Sequence, residues 1–291
     1  MFAIIDNPAS GKKSGDQLRM QVCDLLRERG EEVRLFLTQC EGDGSHQARL
    51  ALDSGCRNIV CIGGDGTISE VVSQLAGSDA TLYIVPHGTG NDFARAFGLP
   101  KDALQAFKLQ LDGTPKQIDL GMINGKAFIN VSGSGFDVEV LRKTEELKNQ
   151  YPGEKAYRKA LLSILSRYEP VEMEMTTDDG EPERLRSTII EIANGRYFGG
   201  GMHVAPGARY DDGLFDIVWI KPVPRFAIPF LLPLFIAGVH VYLPIVRVTH
   251  AKKVCLRGHN MVVNIDGRLE EMDEAVYEIL PKALRVMEIR S

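Results

Sequence analysis

Through roughly the first 120 residues, short runs dominated by apolar side chains alternate with segments of helical spacing. Residues 2–5, 33–37, 59–62 and 82–85 are such runs, and brief, nearly continuous hydrophobicity is the mark of strands buried on both faces. Between the first two, Leu18, Val22, Leu25 and Leu26 recur at helical spacing and are followed by Arg29-Gly30, a helix stop. Alternation of this kind predicts a parallel sheet with helices on both faces. After Asp119 the pattern changes. Residues 127–131, 171–176, 188–193, 214–220, 252–256, 261–265 and 275–279 read as strands joined by turns such as Asp178-Asp179-Gly180-Glu181-Pro182, with helices predicted over 137–148 and 155–168. A second domain, mainly β, follows from this.

One apolar segment needs separate treatment. Residues 226–246 contain no Asp, Glu, Lys or Arg over 21 positions and lie between Arg225 and Arg247, which satisfies the length rule for a membrane span. Pro229, Pro233, Pro244, Gly238 and His240 argue against it, because the carbonyls freed by prolines find no partner in lipid. The segment is expected to be core or a lipid-touching surface, on a protein that binds vesicles reversibly without needing detergent.

With 44% hydrophobic and 25% charged residues the chain has an ordinary globular composition. A net charge of −5 and a pI near 5.8 exclude a global basic field for nucleic acid. Cysteines at 23, 40, 56, 61 and 255 form no C-x-x-C pair, so free, buried thiols of a reducing compartment are expected. The N-terminus shows no export signal, and a cytoplasmic location is the expectation.

Chemistry enters at two turns. The strand at 58–62 runs into Gly63-Gly64-Asp65-Gly66-Thr67, and the next strand runs into Pro86-His87-Gly88-Thr89-Gly90-Asn91-Asp92-Phe93-Ala94-Arg95. Glycines permit close backbone approach, and the N–H groups opening the following helix favour a phosphate. The aspartates add carboxylates that a phosphate tolerates only alongside a cation or a proton transfer. Asp65, Asp92 and Asp119 each follow an apolar run at intervals of 27 residues (92 − 65 and 119 − 92), which predicts all three at one rim of the sheet, around a cation. Neither a G-x-x-x-x-G-K-[ST] loop nor a protein-kinase catalytic set is present. Lys12 is a reasonable phosphate partner.

Asn7-Pro8-Ala9-Ser10-Gly11-Lys12, the GGDGT turn and the GTGNDFAR turn, in this order, resemble the catalytic domain of the diacylglycerol kinase family, in particular its bacterial lipid kinases of similar size. Asn194 to Met202, Ala205-Pro206, Asp211 to Leu214 and Leu280 to Leu284 extend the resemblance over essentially the whole chain. It implies an α/β nucleotide-binding domain like those of phosphofructokinase and NAD kinase (residues 1–120 with about 281–291), joined to a β-sandwich lipid-substrate domain (121–280). Residues 284–289 would return to the first domain as an extra strand. The implied cofactors are ATP and Mg2+, the partner a lipid at the inner membrane surface, with homodimerisation left open. By motif position, Asn7 to Gly11, Gly64 to Glu70, Thr38 and Thr89 match ATP-contacting positions, with Gly63, Thr67 and Asn91 in the same turns. Asp212 with the carbonyls of Arg209 and Leu214 resembles a structural magnesium site, and oxygen-only ligation suits a hard cation.

The chain departs from the family at one place. Where relatives carry Asp-Gly-Glu, with an acid as proton acceptor, this sequence has Asp266-Gly267-Arg268-Leu269-Glu270, and arginine cannot be a general base. Asp266 takes the proton, or Glu270 folds back into the role, or catalysis is weakened and the chain is a lipid-binding or regulatory homologue. A soluble-substrate kinase like NAD kinase shares GGDGT but needs motifs absent from the second half.

Overall fold

The computed structural model describes residues 1–8, 15–147, 150–151 and 154–290. Its first part is β1 (Phe2–Asp6), α1 (Gly15–Glu28), β2 (Val33–Leu37), α2 (Asp43–Asp53), β3 (Asn58–Gly63), α3 (Asp65–Leu75), β4 (Thr81–Pro86), α4 (Asp92–Ala96) and α5 (Ala103–Leu111). The strands pair in parallel in the order β2-β1-β3-β4. Side chains alternate across a strand, so Ala3, Ile5, Ile59, Cys61, Leu82 and Ile84 pack under α2 and α3. Phe2, Ile4, Val60, Ile62, Tyr83 and Val85 meet α1 and α5 on the other face. The predicted doubly covered parallel sheet is what forms.

The second part is antiparallel. It comprises β5 (Thr114–Ile123), β6 (Lys126–Phe128), β7 (Val131–Gly135), α6 (Phe136–Leu147), α7 (Glu154–Leu165), β8 (Val171–Thr177), β9 (Glu183–Ser187), β10 (Ile189–Ala193), β11 (Phe215–Ile220), α8 (Ile228–Ile236), β12 (Val246–Ala251), β13 (Lys253–Ile265) and β14 (Arg268–Glu288). Inward residues of β8 to β11, β13 and β14 share one core, including Phe215, Trp219, Val263 and Tyr277. The opposite faces of β10 and β11 are covered by α6, α7 and α8 through Phe136, Ala160, Ile164, Ile228 and Phe235.

Several predicted elements change on folding. Residues 127–131 divide between β6 and β7 because Ile129, Asn130 and Val131 give their N–H groups to a side chain, that of Asp266, instead of a neighbouring strand. Residues 252–256 and 261–265 are one strand, β13, irregular between Arg257 and Met261. The run at 275–279 and the expected terminal strand are both parts of β14. This strand pairs antiparallel with β13 and β5 and then parallel with β4, through Arg285↔Thr81 and Val286↔Leu82. Among the thiols Cys23, Cys56 and Cys61 are buried, but Cys40 is exposed and Cys255 half-buried. Lys148, the predicted end of a helix, lies outside the described residues. Residues 226–246 form only the nine-residue α8 between two short 3-10 turns, and among the described residues no helix is long and apolar enough to cross a membrane.

Parallel pairing of β3 with β4 brings their exit turns together. A Cβ on Gly64 would lie 3.1 Å from the Cα of Gly88, and one on Gly88 would overlap the Cα of Gly64. Backbone cannot step aside as a flexible side chain can. Gly88→Ala is therefore expected to destabilise the protein by about 1–3 kcal/mol, whereas Gly66→Ala, on α3 with no described atom within 4 Å of the new methyl, should be neutral or stabilising by up to about 1 kcal/mol. Urea unfolding of the two variants checks this, and equal midpoints would refute the close approach.

Candidate active site

The site is built where these turns face the second part of the chain. Asp65 is the first residue of α3, whose opening N–H groups have no side-chain cap, and its Oδ1 accepts the Phe93 N–H at 3.0 Å. Asn91, at φ 52°, closes the second turn on itself: its Oδ1 accepts the Gly88 N–H at 3.0 Å and its Nδ2 donates to the Gly88 carbonyl at 2.9 Å. Asp92 accepts the Gly200 N–H on Oδ2 at 2.8 Å. Its Oδ1 is buried without a hydrogen bond, the Arg95 Nε standing 3.6 Å away. Between the two acids, a Cβ on Gly90 would lie 2.9 Å from Asp65 Oδ2 and 3.6 Å from Asp92 Oδ2. Burial raises the affinity of Asp92 for a proton, and the charge of Asp65 acts in the same direction.

Asp266 arrives from the other side. With Gly267 it forms the two-residue turn joining β13 to β14, both residues at positive φ (47° and 93°), as an Asp-Gly hairpin turn requires. Its carboxylate accepts the N–H groups of Ile129 at 2.6 Å, Asn130 at 2.9 Å and Val131 at 3.1 Å. Those donors favour the charged form, yet burial outweighs them and, with the charge of Asp65 adding, pushes the pKa up to about 6. Asp65, Asp92 and Asp266 line one cleft of about 260 Å³ together with Gly90, Asn130 and Gly200.

Asp119 is not among them. Its oxygens accept the N–H of Lys282 at 2.7 Å and of Gly213 at 2.7 Å, bracing an irregularity in the β5–β14 ladder against the loop at 209–214. Equal spacing misleads here because β5 is antiparallel to β14, not the next strand of the parallel set, so residue 119 is not delivered to the common rim. Glu270 is also elsewhere: both its oxygens meet Lys126 Nζ, at 2.7 and 2.6 Å. It does not fold back into the cleft.

Glu70, expected at the nucleotide, is 7% exposed. Its carboxylate accepts the N–H groups of Gly42 and Gly44 at 3.0 and 2.9 Å and the guanidinium of Arg268 at 2.6 Å, so it braces the start of α2 and ties the two parts of the chain. Thr67 Oγ1 accepts from Asn7 Nδ2 at 3.1 Å and packs beneath Gly63. Thr38 is buried at the exit of β2, its N–H on the Asp6 carbonyl at 3.0 Å. Pro8 and Thr89 are exposed. Ala9, Ser10, Gly11 and Lys12 lie outside the described residues. At the second proposed cation site, Asp212 Oδ1 accepts the Leu214 N–H at 3.1 Å, while Arg209 pairs with Asp211 at 3.3 Å. No group of three or more His, Cys, Asp or Glu side chains is arranged to hold a metal among the described residues. Asp65 and Asp92 offer hard oxygen donors, one of them unbonded and buried, which suits magnesium completing its shell with phosphate oxygens and water.

Two acids escaped the sequence reading. Asp137 lines the cleft from α6, and Glu191 of β10, with 0% exposure, lies behind it. No donor closes a well-formed hydrogen bond to any of their four carboxyl oxygens, although Asn264 and the Val138 N–H are near Asp137. Burial pushes Asp137 up to about 6 and Glu191 well above the usual carboxylate range; Asp137 raises Glu191 further, while contact with Glu191 works to lower Asp137. A signal was available: Glu191 sits in the uninterrupted strand Ile189-Ile190-Glu191-Ile192-Ala193, where an acid has no route to water.

Family comparison identifies the domains that carry these residues. Residues 1–123 match the diacylglycerol kinase catalytic domain, and residues 130–288 match the YegS C-terminal NAD kinase beta sandwich-like domain. The chain is 33% identical to a Mycobacterium tuberculosis protein named diacylglycerol kinase, over 98% of this chain and 94% of that one. It is 35% identical to a Pseudomonas aeruginosa protein named "Probable lipid kinase YegS-like", over 95% and 91%. A diacylglycerol kinase structure from Bacillus anthracis superposes with a TM-score of 0.75 at 22% identity, covering 99% of this chain and 96% of that one. An NAD kinase from Archaeoglobus fulgidus, solved with ATP, shares the fold at a TM-score of 0.56 and 13% identity, over 100% and 94%. The chain belongs to the diacylglycerol kinase family of lipid kinases.

The buried acid pair gives a prediction with a definite sign. Burial holds the proton of Glu191 in the fold well above its ordinary value of 4.5, near which the unfolded chain ionises. Its contribution to stability is therefore present below that value and lost as pH rises, at up to about 1.4 kcal/mol per pH unit. Glu191→Gln removes the ionisation, so its melting temperature relative to the native chain should be higher at pH 8 than at pH 5 (about these values). A difference independent of pH would show that Glu191 is not held neutral.

Proposed function

We propose that this protein is an ATP-dependent lipid kinase that transfers the γ-phosphate of ATP to a hydroxyl of diacylglycerol or a related lipid at the inner membrane surface. The observation that carries the reading is the convergence of Asp65, Asp92 and Asp266 on one cleft between the phosphate-type turns and an apolar slot. We take residues 1–120 with 281–291 as the nucleotide-binding unit and 121–280 as the lipid-binding unit.

Roles follow from surroundings. The uncapped N–H groups at the start of α3 and the close-packed glycine turns provide a cradle for phosphate oxygens. Asp65 and Asp92 would hold magnesium, which neutralises charge developing on the transferring phosphoryl group. Asp266, fixed by three amides, accepts the lipid hydroxyl's proton as that oxygen bonds to the γ-phosphorus and the bond to the β–γ bridging oxygen breaks, releasing ADP. A base near pKa 6 is largely ionised at neutral pH while still basic enough to receive a proton.

Purified protein supplied with labelled ATP, magnesium and a bacterial lipid extract is expected to label a lipid. Asp266→Asn should lower that transfer by at least about a hundredfold with nucleotide affinity nearly unchanged. In the native chain kcat/KM should rise with pH up to about 6 and then level, because only the ionised carboxylate takes a proton. Full transfer by the Asp266→Asn variant would move the base elsewhere.

Arg268 has a different assignment from a lost base. Restoring the family's acid by Arg268→Glu would set a carboxylate against the buried Glu70. The expected outcome is a loss of about 1–3 kcal/mol of stability, recovered in Glu70→Gln/Arg268→Glu, and no gain in turnover. A large gain in turnover at unchanged stability would mean that the native chain is a weakened enzyme.

A further inference from the structure

α8 is apolar at every position, Ile228-Pro229-Phe230-Leu231-Leu232-Pro233-Leu234-Phe235-Ile236. A surface helix of a globular protein carries polar residues on its outer side, but here the outward residues are Phe230, 76% exposed, and Ile236, 50% exposed. Phe226, just before the helix, is 77% exposed, and Tyr242, just after it, 85%. These form a contiguous stretch of chain with large apolar side chains in water, the kind of surface that marks contact with another apolar medium.

The inner side of the same helix leads to the chemistry. Ile228, Leu231, Leu232 and Phe235 wall an apolar slot whose other residues include Asp137, Tyr157, Phe198 and Met202. Those last four also line the cleft of Asp65, Asp92 and Asp266. A wall thus runs unbroken from α8 to the acids. The slot has only about 50 Å³ of free space, room for a few waters, so an acyl chain enters only if α8 moves outward. Its hold is weak for a helix: Pro233 interrupts it, and Gly238 at φ 73° ends the turn after it.

Charge favours a bilayer over a second copy of this acidic chain. From residue 217 to 265 there is no Asp or Glu, while Lys221, Arg225, Arg247, Lys252, Lys253 and Arg257 fall in that span. Lys253 and Arg257 are matched by Glu278 and Glu274. Lys221 and Arg247 stand together where β11 and β12 end beside the segment, since Ile220 pairs with Val246 and the Lys221 N–H donates to the Ile245 carbonyl. Arg225, exposed by about half with Glu169 3.7 Å away, opens the segment itself. Basic residues flanking exposed aromatics are the composition of an interfacial helix on anionic lipid.

We propose that α8 and its flanking turns are the surface by which this protein docks on an anionic bilayer, and that α8 is the gate through which the acyl part of the acceptor passes to the catalytic acids. The gate rests on the lipid-kinase reading; the docking surface does not. The test uses a Phe226→Ser/Phe230→Ser/Tyr242→Ser variant, confirmed folded by its melting temperature, and flotation with vesicles of phosphatidylglycerol and phosphatidylcholine. Native protein should float with these vesicles and less with phosphatidylcholine alone, and the variant's affinity should drop by at least about tenfold. Its turnover of diacylglycerol presented in vesicles should fall in step, while turnover of a monomeric short-chain diacylglycerol stays within about twofold of native. Equal flotation of variant and native protein overturns the docking surface, as does native protein that phosphorylates vesicle lipid without floating. A dimer in solution broken by the variant, with no flotation, assigns the face to a second copy and also overturns it. Flotation through these residues without phosphorylation of any lipid upholds docking and refutes the kinase reading instead.

Discussion

A single strand holds the two halves of this protein in one register. β14 starts at the Asp266-Gly267 turn, pairs with β13 and β5 through the antiparallel part, and ends as the parallel neighbour of β4. β4 in turn carries the turn bearing Asp92. The acid at one end of β14 and the acids beyond β3 and β4 are thus referenced to one another through a hydrogen-bonded ladder, which is stiffer than a loop linkage. The irregularity at Pro281-Lys282-Ala283 is where the strand changes partners, and Asp119 takes the Lys282 N–H that a regular ladder would have paired. A residue expected in the chemistry instead keeps the shared strand in place.

The distribution of charge in the cleft follows from that arrangement. Asp65, Asp92 and Asp266 are close enough that Asp65 raises the proton affinity of both others, and Asp137 borders the same space with Glu191 behind it. Such a concentration of acids is unfavourable unless protons or a cation offset it. Protons serve the Asp137–Glu191 pair, of which Glu191 has no route to water and which has no matching base among the described residues. Amides serve Asp266. Among the described acids of the cleft, Asp65 and Asp92 remain for the proposed cation, so the acids divide into proposed roles by what else reaches them, not by their identity.

Much of this was legible in the residues. The parallel sheet and both glycine turns follow from local apolar runs and from glycine's freedom near backbone and appear where the pattern puts them, whereas the terminal strand, which forms as the end of β14, is implied by the family resemblance. What failed had non-local causes. The 27-residue interval to Asp119 looked like one more βα unit, yet the partner that reverses its role, Lys282 of β14, lies 163 residues further on. Glu70 has the right position to meet a nucleotide, but Arg268, 198 residues away, occupies it. Glu191 carried a signal as a lone acid in an apolar strand, but that signal says only that something must compensate it, and Asp137 comes from a different element.

The same logic accounts for Arg268, which stands where the family resemblance implies an acid. Glu70 is buried and already accepts two backbone N–H groups, so its charge is partly offset without any help from the second half. A glutamate at 268 would set a second carboxylate against it; an arginine instead adds a direct link between α3 and the turn that carries Asp266. Since Gly267 lines the cleft and Arg268 follows it, that link acts on the position of the proposed base instead of on the proton itself. On the proposed reading Arg268 is thus a tether that holds the turn of Asp266 in place, and the position of the proposed base depends on that tether.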